Sequence, residues 1–196
     1  DFRVKGLVRN GQTRIPGGDE RLQANDQLFV LTRPKYVTPV TRLLGKGNVD
    51  ISHVMVLGGT RVGATVARKL SEQNGKRIKL IEPSAERAQE LAEQLENVLV
   101  LHTDPTDIDL LVREGLADMD ALVSVTDDQE SNLVTCLMAK HLEVYKTVGL
   151  LSKAAYIPIS QAIGLDAAVS KKLAVSREVR FYLRGKYVFG SATLLL

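Results

Sequence analysis

From Val54 onward the apolar positions switch repeatedly between short unbroken runs and helical spacing. Val54-Met55-Val56-Leu57 is a run of four, the pattern of a strand buried on both faces of a parallel sheet. Val62, Val66 and Leu70 follow at i, i+4 and i+8 with Ala67 beside them, which predicts an amphipathic helix. Ile78 to Ile81 predicts the next strand. Ser84 is placed to cap the following helix, Glu86 suits its first turn, and Ala88, Leu91, Ala92 and Leu95 form its stripe. Val98 to Leu101 predicts a third strand, ending at His102-Thr103-Asp104. Asp107 caps a short helix with Ile108, Leu111 and Val112 on its inner face, stopped by Gly115. Ala121 to Val125 predicts a fourth strand, and Leu133, Leu137 and Met138 line the helix after it. Thr147 to Leu151 predicts a fifth, Ala154 to Ala162 a helix despite Pro158, and Ala167 to Val169 a short sixth strand. This alternation predicts an α/β fold, a doubly wound parallel sheet over residues 51–170.

The ends differ. Phe2 to Val8 alternates in part and stops at Asn10-Gly11, a strand followed by a turn. Leu28 to Leu31 predicts another strand, so residues 1–33 read as the end of a small α+β domain whose beginning lies elsewhere. Pro34, Pro39, Gly45 and Gly47 mark residues 34–50 as a linker with one short helix. Residues 171–196 predict a basic helix carrying Leu173, Val179 and Leu183, then Tyr187-Val188-Phe189 and Leu194 to Leu196 as the start of another small β unit. A chain that opens without Met and closes on three leucines is expected to be a piece of a longer one.

The turn between the first central strand and its helix carries the chemistry. Gly58 and Gly63 hold the first and third places of a G-x-G-x-x-G pattern, and Thr60 stands at the middle one. A helix opening there presents unpaired N–H groups and a positive dipole end to a pyrophosphate. The Thr60 side chain either crowds that phosphate or offers it a hydroxyl, and Gly59 restores backbone freedom. Glu82 ends the next strand, 24 residues after Gly58. A carboxylate there accepts hydrogen bonds from adenosine ribose hydroxyls and repels a 2′-phosphate, which favours NAD(H) or an adenine nucleotide over NADP. The bland alternative makes Glu82 a helix N-terminal acid. In such a sheet Gly58 to Gly63, Glu82, Thr103-Asp104 and Thr126-Asp127 surround one crevice at the strand ends.

Composition narrows the rest. The 196 residues are 44% hydrophobic and 25% charged, a globular composition. The net charge is +3, but Lys and Arg are interspersed, so nucleic acid binding is not expected. No apolar run approaches a membrane span. One cysteine, Cys136, excludes an internal disulfide framework and fits a reducing compartment. His53, His102 and His141 lie in separate elements without metal-ligand spacing. Cys136 reads as a core thiol and His102 as a loop residue beside the crevice. Asp104 reads either as an acceptor for an adenine amino group or ribose, or as a turn residue. Asp127, Asp128 and Glu130 suit the positive end of a helix. No catalytic set emerges, so a non-enzymatic sensor is expected.

Several ordered motifs resemble the regulator-of-K⁺-conductance (RCK, or KTN) domain family. They are Leu57 to Gly63, Leu80-Ile81-Glu82, Glu86 to Ala92, His102 to Asp107, Val125 to Asn132 and Ile163 to Ser170. Ile15 to Leu22, with Asp26, is similar to the strand–turn end of the family's C-terminal domain. The resemblance implies a Rossmann-like domain between the end of one C-terminal domain and the start of a second. It implies that Gly58, Gly59, Thr60, Arg61 and Val62 hold a pyrophosphate, Glu82 the ribose, Asp104 the adenosine end, and Thr126 and Asp127 the far side of the ligand. It further implies NAD(H) or an adenine nucleotide (ATP or ADP) as ligand and self-association as a dimer or higher. The expected role is cytoplasmic and peripheral, gating a Trk-type potassium-transporting membrane protein. Thr60, Pro105, Lys171 and Ser152 depart from the family pattern. Two further readings are an NAD-dependent oxidoreductase domain separated from its catalytic half, and a structural repeat that no longer binds nucleotide.

Overall fold

The computed structural model describes residues 2–24, 26–44, 49–153, 155–184 and 193–195. In chain order come β1 (Phe2–Arg9), β2 (Gln12–Arg14), β3 (Gln27–Thr32), a 3₁₀ turn (Pro34–Tyr36) and α1 (Val37–Leu43). Then follow β4 (His53–Leu57), α2 (Arg61–Ser71), β5 (Arg77–Glu82), α3 (Ala85–Gln94), β6 (Val98–His102) and α4 (Ile108–Arg113). The last are β7 (Ala121–Ser124), α5 (Gln129–His141), β8 (Lys146–Leu150), α6 (Tyr156–Ala162), β9 (Ala167–Val169), α7 (Lys171–Arg184) and β10 (Thr193–Leu195). Gly45, Gly47, Ala154, residues 187–189 and Leu196, on which the sequence also placed expectations, lie outside the described residues.

The chain divides into two compact units, Asp1–Asp50 with Arg184–Leu196, and Ile51–Leu183. In the first, β1 and β2 form a hairpin whose two turn residues, Asn10 and Gly11, have φ of 52° and 74°. Positive φ at both matches the twist of the strands, as Asn-Gly predicts. The sheet order is β10-β3-β1-β2. Strands that the sequence assigned to two small domains thus share one sheet, with Thr193 opposite Phe29. Arg9 donates to both carboxylate oxygens of buried Asp26, at 2.7 and 2.6 Å, and to Glu20 at 3.0 Å. The guanidinium holds the Asp26 carboxyl down at about 2.

The second unit is a six-stranded, wholly parallel sheet in the order β6-β5-β4-β7-β8-β9. Counted from β4, the strands run 3-2-1-4-5-6, the dinucleotide-fold order, and the direction of winding reverses between β4 and β7. Alternate residues of β4 serve opposite layers. Met55 and Leu57 join Ile81, Leu111, Leu122, Cys136 and Ala139 in one core. Val54 and Val56 join Ala67, Leu80, Leu91, Ala121 and Val125 in the other. Burial on both faces is why β4 is an unbroken apolar run.

Helices α2 and α5 seat on smaller residues than their stripes predict. On α2 the fully buried positions are Gly63 and Ala67, with Val62, Val66 and Leu70 half-buried beside them. Small residues at the centre let the helix approach the sheet. On α3, Ala88, Leu91 and Leu95 are buried, but Ala92 is exposed. On α4, Leu111 is buried, while Val112, expected inside, is 40% exposed. On α5 the buried face is Asn132, Thr135, Cys136 and Ala139. Leu137, expected to line it, is exposed, and Leu133 and Met138 lie at its edge. Leu173, Val179 and Leu183 on α7 face solvent. Among the described residues no helix is long and apolar enough to cross a membrane.

Candidate functional site

The site sits where the sheet changes direction. β4 ends at Leu57, and Gly58 continues its ladder by donating to Ile81 O at 2.9 Å. Gly58 then turns with φ of 96°. A Cβ there would lie 2.9 Å from the Thr126 Cα, so only glycine lets the turn after β4 pass the end of β7. A Cβ on Gly63 would lie 1.9 Å from Gly58 O, and so the third glycine is required for the helix to fold back on its own turn.

Thr60 is the N-cap of α2. Its hydroxyl accepts from Gly63 N at 3.2 Å and donates to Val125 O at 3.0 Å. The single hydroxyl proton of Thr60 bridges the turn to the residue after β7 and is not free for a ligand in this arrangement. The N–H groups of Arg61 and Val62, in the first turn, have no acceptor among the described residues. Arg61 is exposed and Val62 half-buried. The first turn of α2 holds no acid, whereas α3, α4 and α5 carry Glu86, Asp109 and Glu130 in theirs. The first turn of α2 thus leaves its positive dipole end without an acid of its own, as do those of α6 and α7.

Glu82 closes β5 and is only 9% exposed. Its Oε2 accepts from Gly59 N at 2.8 Å and its Oε1 from Ser84 N at 3.0 Å. The carboxylate therefore touches the glycine turn directly, and each oxygen retains a further lone pair. A Cβ on Gly59 would lie 2.6 Å from that Oε2 and 2.4 Å from Leu91 Cδ1, so Gly59 makes room for the acid. Ser84 caps α3, as predicted, accepting from Arg87 N.

Thr126 faces Gly58 and is gripped from its own side. Thr126 N and Oγ1 both donate to Asn132 Oδ1, at 3.0 and 2.7 Å. Asn132 Nδ2 donates to Thr126 O and to Leu150 O, each at 3.0 Å. Asn132 was absent from the predicted site residues. The signal was a polar residue in the apolar register of α5.

The remaining candidates stand apart. Asp104 follows the end of β6, exposed, and its Oδ1 accepts from Thr106 N and Thr106 Oγ1 at 2.8 and 2.7 Å. These bonds hold its carboxyl below the usual range and give it a turn role here. Among the described residues no hydrogen bond joins it to the glycine turn. Asp127 is exposed between Thr126 and Asp128. Asp128 caps α5 through Glu130 N, as its place in the acidic cluster predicts. His102 is the last residue of β6, opposite Glu82, and its Nε2 lies 3.0 Å from Pro83 O. Burial pushes the Cys136 thiol up to about 12, which makes it an inert core group. Among the described residues no cluster of three or more His, Cys, Asp or Glu is placed to hold a metal.

The strand order, the glycine turn at its switch point and the buried acid on the adjacent strand define a Rossmann-like α/β domain. Residues 54–171 match the family model of the TrkA-N domain, and the chain belongs to that family. Its relatives include the Trk system potassium uptake protein TrkA homolog 2 of Methanosarcina mazei, 32% identical over 191 residues, or 97% of this chain and 43% of that one. The Trk system potassium uptake protein trkA homolog 1 of Methanosarcina mazei is 35% identical over 176 residues, 90% of this chain and 43% of that one. The chain thus spans well under half the length of either relative. Among solved structures, the GsuK channel bound to NAD superposes with a TM-score of 0.60 at 18% identity, covering 93% of this chain and 32% of that one. The Shewanella denitrificans Kef CTD in its AMP-bound form gives 0.56 at 22% identity, covering 69% and 84%. At these identities the likeness is one of fold.

Proposed function

We propose that this chain binds NAD(H) or an adenine nucleotide (ATP or ADP) at the turn after β4 and acts as a regulatory part of a Trk-type potassium uptake system. The observation that carries the reading is the opening of α2. Two N–H groups there, those of Arg61 and Val62, lack acceptors among the described residues, and the first turn holds no acid. Glu82, with lone pairs to spare, borders the same turn. A pyrophosphate held by Arg61 N and Val62 N brings its ribose toward Glu82. Thr126 and Asp127 then border the far side of the ligand, and Asp104 its adenosine end. The relatives named for potassium uptake and the fold neighbours bound to NAD and AMP support this reading.

The chain performs no catalysis on this reading. It self-associates as a dimer or higher and lies on the cytoplasmic face of the membrane through its potassium-transporting partner. Ligand acts by favouring one arrangement of the assembly over another, and only a difference in affinity between the two can shift the transporter. Calorimetric titration with NAD⁺, NADH, ADP and ATP tests the site. Saturable heat with at least one of them is expected. The oligomer's scattering profile is expected to change in the presence of the ligand that binds, and an unchanged profile removes the regulatory half of the proposal.

One observation favours a second reading, a repeat kept for structure alone. The Thr60 hydroxyl and both Glu82 oxygens already have protein partners. Absence of heat with all four nucleotides selects that reading.

A further inference from the structure

Asn132 is completely buried, yet it is polar and sits in the first turns of α5. Burying an amide is costly unless its groups find partners. Here each does. Oδ1 accepts from Ser124 Oγ at 2.9 Å, Thr126 N at 3.0 Å and Thr126 Oγ1 at 2.7 Å. Nδ2 donates to Thr126 O and Leu150 O, both at 3.0 Å. One side chain therefore holds the main-chain donor and the main-chain acceptor of a single residue, and shares its hydroxyl with Asp128 O at 3.1 Å.

Thr126 packs directly against the glycine turn. The β7–β8 ladder ends with Ser124 opposite Gly149. Beyond it the two strand ends are joined through Asn132 Nδ2, which bridges Thr126 O to Leu150 O. On the other side, Thr126 Cα stands 2.9 Å from the Cβ that Gly58 lacks, and Thr60 Oγ1 donates to the neighbouring Val125 O. The glycine turn thus rests against a segment whose place is set from behind by α5. A shift of Thr126 by a few tenths of an ångström changes the contact with Gly58 and the cap that orients Arg61 N and Val62 N.

We propose that Asn132 is a positioning residue of the nucleotide site: its amide sets where Thr126 stands against the Gly58–Val62 turn, and so sets affinity for a nucleoside diphosphate. Affinity rests on the function proposed above, whereas the positioning of the turn does not. Ser124 provides the control. It belongs to the same buried network through Asn132 Oδ1 and Thr135 Oγ1, but it makes none of the bonds to Thr126. Asn132→Ala and Ser124→Ala both remove buried hydrogen bonds, but only the first releases Thr126.

Amide hydrogen exchange on the ligand-free protein reads the first half. Asn132→Ala is expected to speed exchange at least tenfold at Thr126 and at the hydrogen-bonded amides of Gly58, Gly59 and Gly63, and Ser124→Ala to leave those three within twofold of the parent. Calorimetry with NAD⁺, NADH, ADP and ATP reads the second half, with at least a tenfold weaker Kd for Asn132→Ala and less than a twofold change for Ser124→Ala. Should Asn132→Ala not fold, Asn132→Ser serves, since a serine hydroxyl in a helix bonds the carbonyl four residues back and cannot grip Thr126. Unchanged exchange at Gly58, Gly59 and Gly63 in the folded variant overturns the proposal, as does an equal effect of Ser124→Ala. If the parent binds no nucleotide, the function above fails, and exchange alone decides the role of Asn132.

Discussion

Helices α2 and α5 open side by side at the strand switch, and their first turns are built in opposite ways. The α2 end is spare: a threonine cap, an exposed arginine, no acid, and two N–H groups without acceptors among the described residues. The α5 end is consumed by the protein itself. Asp128 caps it, Gln129 Oε1 accepts from Ser152 N and Lys153 N, and Glu130 takes Lys153 Nζ and Tyr156 OH, each at 2.8 Å. Their buried faces differ likewise. The α2 helix reaches the sheet through Gly63 and Ala67, and α5 through a hydrogen-bonded set around Asn132. One helix opens without an acid in its first turn, and the other holds Thr126 against the turn that precedes it.

The largest expected break in this contrast is at Gly63. Gly63→Ala places a methyl 1.9 Å from Gly58 O, within backbone that has nowhere to go. It is expected to cost more than about 3 kcal/mol, read as a lower denaturant midpoint, and to abolish nucleotide binding. An alanine variant of parental stability contradicts the close approach.

Next comes Glu82. Glu82→Ala leaves the buried Gly59 N–H without its acceptor, a loss of about 1–3 kcal/mol. Adenosine-ligand affinity is expected to fall at least about tenfold, since a bidentate acceptor for the ribose disappears. A stability loss with unchanged affinity leaves Glu82 a turn-bracing acid and removes its ribose role.

The smallest effect concerns the tied end of α5. Lys153 and the Tyr156 hydroxyl hold the Glu130 carboxyl at about 2, below its ordinary 4.5. A folded-state value below the unfolded one means that the tie stabilises the fold above about pH 4.5 and is lost as pH falls toward 2. The groups are exposed, so the change is small and is best followed by NMR titration of the Glu130 carboxyl. Lys153→Met is expected to move that midpoint upward, and an unmoved midpoint rules out the ion pair as its cause.

Local chemistry was legible from the chain alone. Alternating runs and stripes located the strands and helices of the sheet, because side-chain period is a property of neighbouring residues. The caps at Ser84 and Asp107 and the left-handed stop at Gly115 were legible for the same reason. So was the glycine turn, whose spacing is contained within six residues. The faces of α4 and α5 were legible only in part: Ile108, Leu111 and Leu133 reach the core as expected, and Val112 and Leu137 do not. An apolar stripe marks a buried face only when no hydrogen-bonded polar set competes for it, and on α5 Asn132 and Thr135 took the place that Leu137 was expected to fill.

Tertiary structure alone decided the partners. Thr60 and Val125 are 65 residues apart, Glu82 and Gly59 are 23, and Asn132 and Leu150 are 18. Which of these meet depends on the strand order, and no local pattern carries that order. The sequence by itself determined a βα-alternating chain with a phosphate-type turn and an acid one strand away. The folded sheet decided that the acid grips the turn, that the threonine hydroxyl is spoken for, and that an asparagine holds Thr126 against the turn. The physical reason is that a hydrogen bond needs a partner within about 3 Å, and only the closed sheet brings residues so distant along the chain to that range.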